Sequence, residues 1–325
     1  MATNLPNLTT PALLVAALLA AGAWIWGQRQ QGPSGDLPAA QPSLPQRNAP
    51  TSVDPQELLE RAIATLESQR SLSAKVRQTG SMFGQDSVGQ GVYLQQYLHQ
   101  RDGDKLLFRL DLRIQLGDES SSLAQVCDER GQFWCYEKVP GDEAVLSLID
   151  TLRVERYLEE TGQKNRLEGV GDWPGLGGLP KLLRGLHNAF QFVAADGLEL
   201  RGQPPVPVWR LFGRWNTARL AEFLPESPQA AAAGGSVDPA ALPPQLPEQV
   251  VLFLGKEDLF PYRIEYRRDT VGETGKQAWS ARWLLTLELF EVSSNAAIPP
   301  TRFKFPTSLD YTDKTDAFID ALEQE

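Results

Sequence analysis

Lys105–Leu116 reads KLLFRLDLRIQL. Leu106, Phe108, Leu110, Leu112, Ile114 and Leu116 share one parity, and Arg109, Asp111, Arg113 and Gln115 share the other. Only Leu107 breaks step. Side chains alternate between the faces of a strand, so this is a long antiparallel strand with one dry and one wet face. A helix would scatter the same residues around its circumference. Burying such side chains is worth about 1.5–3 kcal/mol each, enough to hold the register of neighbouring strands. Some other part of the chain must cover the dry face.

The chain of 325 residues has room for two average domains or one large β-rich domain with appendages. Its net charge of −10, with basic residues dispersed among acidic ones, points away from nucleic acid as a partner. Histidine occurs only as His99 and His187, and cysteine only as Cys127 and Cys135. Metal centres and histidine-dependent catalysis are hard to build from that inventory, so no metal and no cofactor is expected. Neither a Gly-x-Ser-x-Gly elbow nor a His-Glu-x-x-His helix is present, and the glycines match no phosphate loop. An enzyme is therefore not expected, although acidic residues are plentiful enough for a carboxylate-only site.

Residues 1–27 contain the apolar run Pro11–Gly27, PALLVAALLAAGAWIWG. It reads as a membrane anchor with Trp24 and Trp26 at the interface, or as a secretory signal with Ala21-Gly22-Ala23 as its small-residue cleavage site. Either reading places the remainder outside the cytoplasm. Residues 28–52, rich in Pro, Gln, Ser and Ala, form a disordered tether.

The folded region spans 53–325. Asp54-Pro55 opens a helix with the stripe Leu58, Leu59, Ala62, Ile63 and Leu66. Strands follow at Leu72–Arg77, Val88–His99 and Lys105–Leu116, and a hairpin at Ser122–Cys127 and Phe133–Tyr136. Cys127 and Cys135 lie on its two arms. They form a cross-strand disulfide, or else two small buried thiols if the register separates them.

Asp142–Glu160 has helical period, capped by Asp142, and Trp173–Gly178 (WPGLGG) breaks the chain before a helix over Leu179–Phe192. His187 is an ordinary residue of that helix. Leu198–Arg201, Val206–Trp215, Gln249–Leu254, Tyr262–Arg267, Ala281–Val292 and Thr301–Phe305 read as strands. Arg219–Leu224 is a short helix, residues 225–247 a loop rich in Pro, Ala and Gly, and Asp313–Leu322 a terminal helix. The fold class is α+β: a curled, mostly antiparallel sheet whose concave apolar face packs against the helices.

Several strings along Val53–Leu322 resemble the LolA-like family of lipoprotein carriers. They are the opening amphipathic helix with Ser73–Thr79 after it, the QFWCY segment of Gln132–Tyr136 where the family has dG-x-x-W-x-Y, Ile149–Leu152, and PPTRFKF at Pro299–Phe305. With its anchor and insertion the chain most resembles large, membrane-anchored members of planctomycete type. The resemblance implies an incomplete β-barrel whose apolar cavity holds lipid or lipoprotein acyl chains under a helical lid, in the periplasm. Candidate cavity residues are Leu106, Phe108, Leu110, Trp134, Tyr136, Tyr262, Ile264, Trp283, Leu285 and Leu287, with Trp173–Gly178 as hinge. The alternative is an envelope structural or sensory module that binds a protein partner through the same fold.

Overall fold

A computed structural model of the chain describes residues 53–82, 85–100, 103–162, 177–202, 204–217, 219–220, 246–270, 280–306 and 309–323. The anchor or signal run, the tether, residues 173–176 of the hinge and nearly all of the 225–247 insertion lie outside these residues. Among the described residues, no helix is long and apolar enough to cross a membrane.

The elements run α1 (Pro55–Ser68), β1 (Ser71–Met82), β2 (Gln85–Gln100), β3 (Gly103–Leu116), β4 (Glu119–Cys127), β5 (Gln132–Lys138), β6 (Val145–Asp150), α2 (Thr151–Glu160) and α3 (Gly178–Ala189). They continue with β7 (Phe190–Leu200), β8 (Val206–Trp215), β9 (Gln249–Gly255), β10 (Pro261–Thr270), β11 (Ser280–Ser294), a 3₁₀ turn (Pro300–Phe303), β12 (Thr312–Asp313) and α4 (Thr315–Glu323). The chain divides into two compact units. The first holds Ala64–Gly185 and Leu285–Glu325, and the second holds Leu186–Leu284 with residues 53–63.

In the first unit the strand order is β12-β6-β5-β4-β3-β2-β1-β11. All pairs are antiparallel except β12 on β6. The mostly antiparallel sheet expected from the sequence is therefore present, and it is not closed: β12 pairs with β6 alone. β3 has the expected dry face, with Phe108, Leu110, Leu112 and Ile114 buried. Leu107 is buried too, on the opposite face, where it packs with Leu94 and Phe303 and is flanked by Val92, Leu98 and Ile298. The residue that breaks step in the sequence thus marks a second core on the face expected to be wet. Arg109 reaches the same covering segment, donating from its Nη1 to the carbonyls of Arg302 at 3.0 Å and Lys304 at 3.3 Å.

The covering segment was expected to be a strand over Thr301–Phe305. It is a 3₁₀ turn, because Pro299 and Pro300 have no N–H for a ladder. Helix was likewise expected from Asp142, whereas Val145–Asp150 pairs with β5 as a strand and the helix begins at Thr151. Asp150 is the cap: its carboxylate accepts from the Arg153 N–H at 3.1 Å. The Thr151 hydroxyl donates to the Gly131 carbonyl at 2.7 Å, and Gly131 takes φ +72° in the β4–β5 turn. α4 is joined on through Thr315, whose hydroxyl accepts from the Asp150 N–H at 2.9 Å and donates to Asp313 at 2.6 Å. The Thr315 hydroxyl and the Thr315 N–H, which also donates to Asp313 at 2.9 Å, hold the Asp313 carboxyl below its ordinary range.

The β4–β5 hairpin corrects the disulfide reading. Cys127 stands opposite Phe133, and Cys135 opposite Gln125. The two cysteines are diagonal neighbours on one face, beyond the reach of an S–S bond, and both are free. Burial pushes each thiol up to about 12.

In the second unit β10, β9, β8 and β7 follow in order, antiparallel throughout, and β7 pairs with β8 alone. The helix expected over Leu179–Phe192 ends at Ala189, and β7 starts at Phe190 rather than Leu198. Leu252 and Leu254 of β9 are fully buried on one face, and Val251 and Phe253 on the other, so β9 is a two-sided core strand. Phe190 rests on Trp215 with ring centroids 4.4 Å apart, and the indole N–H donates to the Pro247 carbonyl at 2.7 Å. Glu265, also buried, is held between Arg263 and Arg267.

Two measurements check this description. Phe303→Ala should cost about 3–5 kcal/mol in urea unfolding, as expected for emptying a buried aromatic site. Intact mass without reductant should show two free thiols, and iodoacetamide at pH 8 should modify them only after denaturation, because thiols raised to about 12 are scarcely ionised there.

Candidate functional site

The site is built on the face of the first unit that Phe108 occupies. Register places Leu72, Ala74, Val76 and Gln78 of β1 beside Gln95, Tyr93, Gly91 and Gly89 of β2. These lie beside Phe108, Leu110, Leu112 and Ile114 of β3, and then Cys127, Gln125, Leu123 and Ser121 of β4. On the other side of β1, Leu289, Leu287 and Leu285 of β11 stand opposite Val76, Gln78 and Gly80. The result is an aliphatic field about five strands wide, sparsely set with amides.

α3 reaches this face through its own N-terminus. The backbone N–H of Leu179 donates to Tyr93 Oη at 2.8 Å and to Gln95 Oε1 at 3.4 Å, while the Tyr93 hydroxyl donates to Gln95 Oε1. A helix leaves its first N–H groups without intrahelical partners, and here one of them is spent on the sheet. Tyr93 is edge-on to Phe108 with centroids 5.6 Å apart, so the same side chain is part of the apolar field and of the polar clasp. Burial holds its hydroxyl in the protonated form, well above the ordinary tyrosine range.

Gly178 makes the clasp geometrically feasible. It takes φ +62°, and a Cβ there would collide with Gln95 Oε1 and stand 2.7 Å from Tyr93 Oη. Beyond it Leu179, Leu182 and Leu183 are buried, and Arg184 Nε donates to Glu67 Oε1 of α1 at 2.9 Å.

Of the residues singled out in the sequence, Leu106, Phe108, Leu110, Leu285 and Leu287 fall on this face, Leu106 half-buried and the rest buried. Trp134 and Tyr136 do not. Val126 faces Trp134 across the hairpin, so both project from the opposite side, where Trp134 packs with Leu146 and Leu148 and stacks on Phe305 at 6.3 Å. Tyr262, Ile264 and Trp283 belong to the second unit. Ile264 is fully buried opposite Leu252, and Tyr262 packs against Val208, Val251 and Phe253 beyond a register shift. Trp283 shares the parity of Leu285 but is 58% exposed near the start of β11.

Gln78, Tyr93 and Gln95 were not singled out as site residues, and Gly178 only as the end of the hinge. The parity of Leu72, Ala74 and Val76, carried two residues further, lands on Gln78. The Tyr93–Leu179 bond spans 86 residues and has no local signal.

These features define a structural class: an open antiparallel sheet with one aliphatic face clasped by the N-terminus of a helix. A scan of family models finds no match, and a search of curated proteins finds none. Solved structures do superpose. One is a DUF1329 family protein from Desulfovibrio piger, 8% identical with a TM-score of 0.29, over 77% of this chain and 95% of that one. Another is MucB of Pseudomonas aeruginosa in complex with MucA, 12% identical with a TM-score of 0.34, over 79% of this chain and 63% of that one. A third is an outer membrane lipoprotein-sorting protein domain from Vibrio parahaemolyticus, 10% identical with a TM-score of 0.24, over 76% and 95%. At that distance no residue role is carried across.

Tyr93→Phe tests the clasp. It removes the acceptor of the Leu179 N–H and should cost about 1–3 kcal/mol. It should also speed amide exchange in α3 while leaving β3–β4 protected. Uniform loss of protection across both would show that the hydroxyl serves the whole unit.

Proposed function

We propose that this chain is an extracytoplasmic binding protein, held at a membrane by residues 1–27, whose aliphatic face takes the acyl chains of a lipid or lipoprotein when α3 lifts away. The observation that carries the reading is the clasp. A field of leucines about five strands wide is closed at the α3 N-terminus through Tyr93, Gln95 and the Leu179 N–H. The helix enters through a glycine at positive φ. Apolar ligand sites are lined in this way, by aliphatic groups with a few placed polar ones. Lifting α3 exposes one backbone donor and two side-chain groups that water can satisfy, so opening costs little in hydrogen bonds. The sequence resemblance to lipoprotein carriers supports the same ligand class. No catalytic role is assigned to any residue.

The test is native mass spectrometry of the full chain taken from its source membrane in mild detergent, together with titration of a fluorescent palmitoyl probe. Bound lipid or acylated protein and saturable probe binding are expected. Absence of both overturns the reading. A stoichiometric protein partner isolated without lipid, and without probe binding, would assign the face to protein recognition instead.

A further inference from the structure

Gln78 is the unexplained group on the clasped face. It is fully buried, and among the described residues neither Nε2 nor Oε1 has a hydrogen-bond partner. Its polar neighbours on the face are accounted for: Gln95 and Tyr93 bind each other and Leu179, and Ser87 reaches the Gly80 carbonyl at 3.4 Å. An unpaired amide in an apolar setting is costly, so it needs a partner that the described residues do not supply.

Water is a poor candidate. A buried water needs two to four polar partners, and the residues flanking Gln78 are Val76 and Gly80 along β1, with Leu287 and Gly89 across from it. β2 also sets no side chain beside the amide, at Gly89 or at Gly91. A Cβ at Gly89 would lie 3.2 Å from Gln78 Cβ and 3.3 Å from Ile114 Cγ1, so the glycine lets Gln78 and Ile114 close over β2 and adds no polar group there.

We propose that Gln78 is the polar anchor of the ligand site: its Nε2–H donates to the carbonyl of an ester- or amide-linked acyl chain. This rests on the acyl-binding reading above. A carboxamide offers two donors and an acceptor. A hydrocarbon chain has nothing to meet them except the carbonyl at its linkage. The site therefore selects chains by their linkage and seats it over β1, with the tail along the leucines of β3 and β11. Glycerolipids and acylated proteins share this linkage.

The test titrates the full chain with palmitoyl lysophosphatidylglycerol and with its ether-linked counterpart, which lacks only the carbonyl. The ester should bind about tenfold tighter, the value of one buried hydrogen bond. Gln78→Met, close in shape, should abolish that preference by weakening the ester alone, and should raise the melting temperature of the ligand-free protein. A diacylglyceryl-cysteine peptide and its ether analogue, run in parallel, tell a lipoprotein source from a lipid one by which ester binds tighter. Equal binding of ester and ether by the unaltered protein overturns the assignment without needing the variant, and so does a preference that survives Gln78→Met. Binding of none of the four ligands overturns the acyl-binding reading itself.

Discussion

The pleat of β3 is the constraint from which the rest of the first unit follows. Once Phe108, Leu110, Leu112 and Ile114 are turned to one face, Leu107, Arg109 and Asp111 must project from the other. That second face is apolar around Leu94, Leu107, Val126 and Trp134, so it needs a cover of its own. The C-terminal segment supplies it with Phe303, Phe305 and Tyr311. The two covers differ in chemistry. The C-terminal one is an aromatic stack tied down by Arg109. At the α3 end, the cover meets the opposite face through a helix N-terminus and a tyrosine–glutamine pair.

Periodicity within an element was legible, and pairing between elements was not. The alternation of Lys105–Leu116 located the buried face correctly, and Asp54-Pro55 located a helix start whose cap accepts from the Gln56 N–H at 2.8 Å. Trp134 was assigned to the wrong face because parity along one strand does not say which parity of the next strand joins it. A shift of one residue in the β4–β5 register would bring Trp134 alongside Cys127, on the Phe108 side. The same ambiguity left the cysteine pairing open. Val145–Asp150 was misread because Leu148, Ile149 and Leu152 fit a helical spacing, while Leu146 and Leu148 fit a strand equally well.

Buried polar groups were the least legible part of the site. Gln78, Gln95 and Gln125 look like solvent-facing residues in a sequence, and all three are buried. Two of them have partners on other strands or on α3. Gln78 declares itself when the parity of β1 is extended past Val76, and Gln95 and Gln125 when the parities of Tyr93 and Leu123 are carried through them.

β1 joins β11 by bonds such as Lys75 Nζ to Glu291 Oε1, at 2.7 Å across 216 residues of chain. The backbone of Arg70 and the side chain of Asn295 meet across 225. The first strand of the domain therefore waits for one of the last before its edge is sealed, and Phe303 arrives later still. Contacts of such long range make folding slow, and a nascent chain shorter than about 300 residues lacks both the neighbour of β1 and the plug over Leu107. Until β11 and Phe303 have been made, Val76 and Leu107 are without their final neighbours. A chain of this topology compacts late, because the edge of its first strand stays open until a partner 216 residues on has been made.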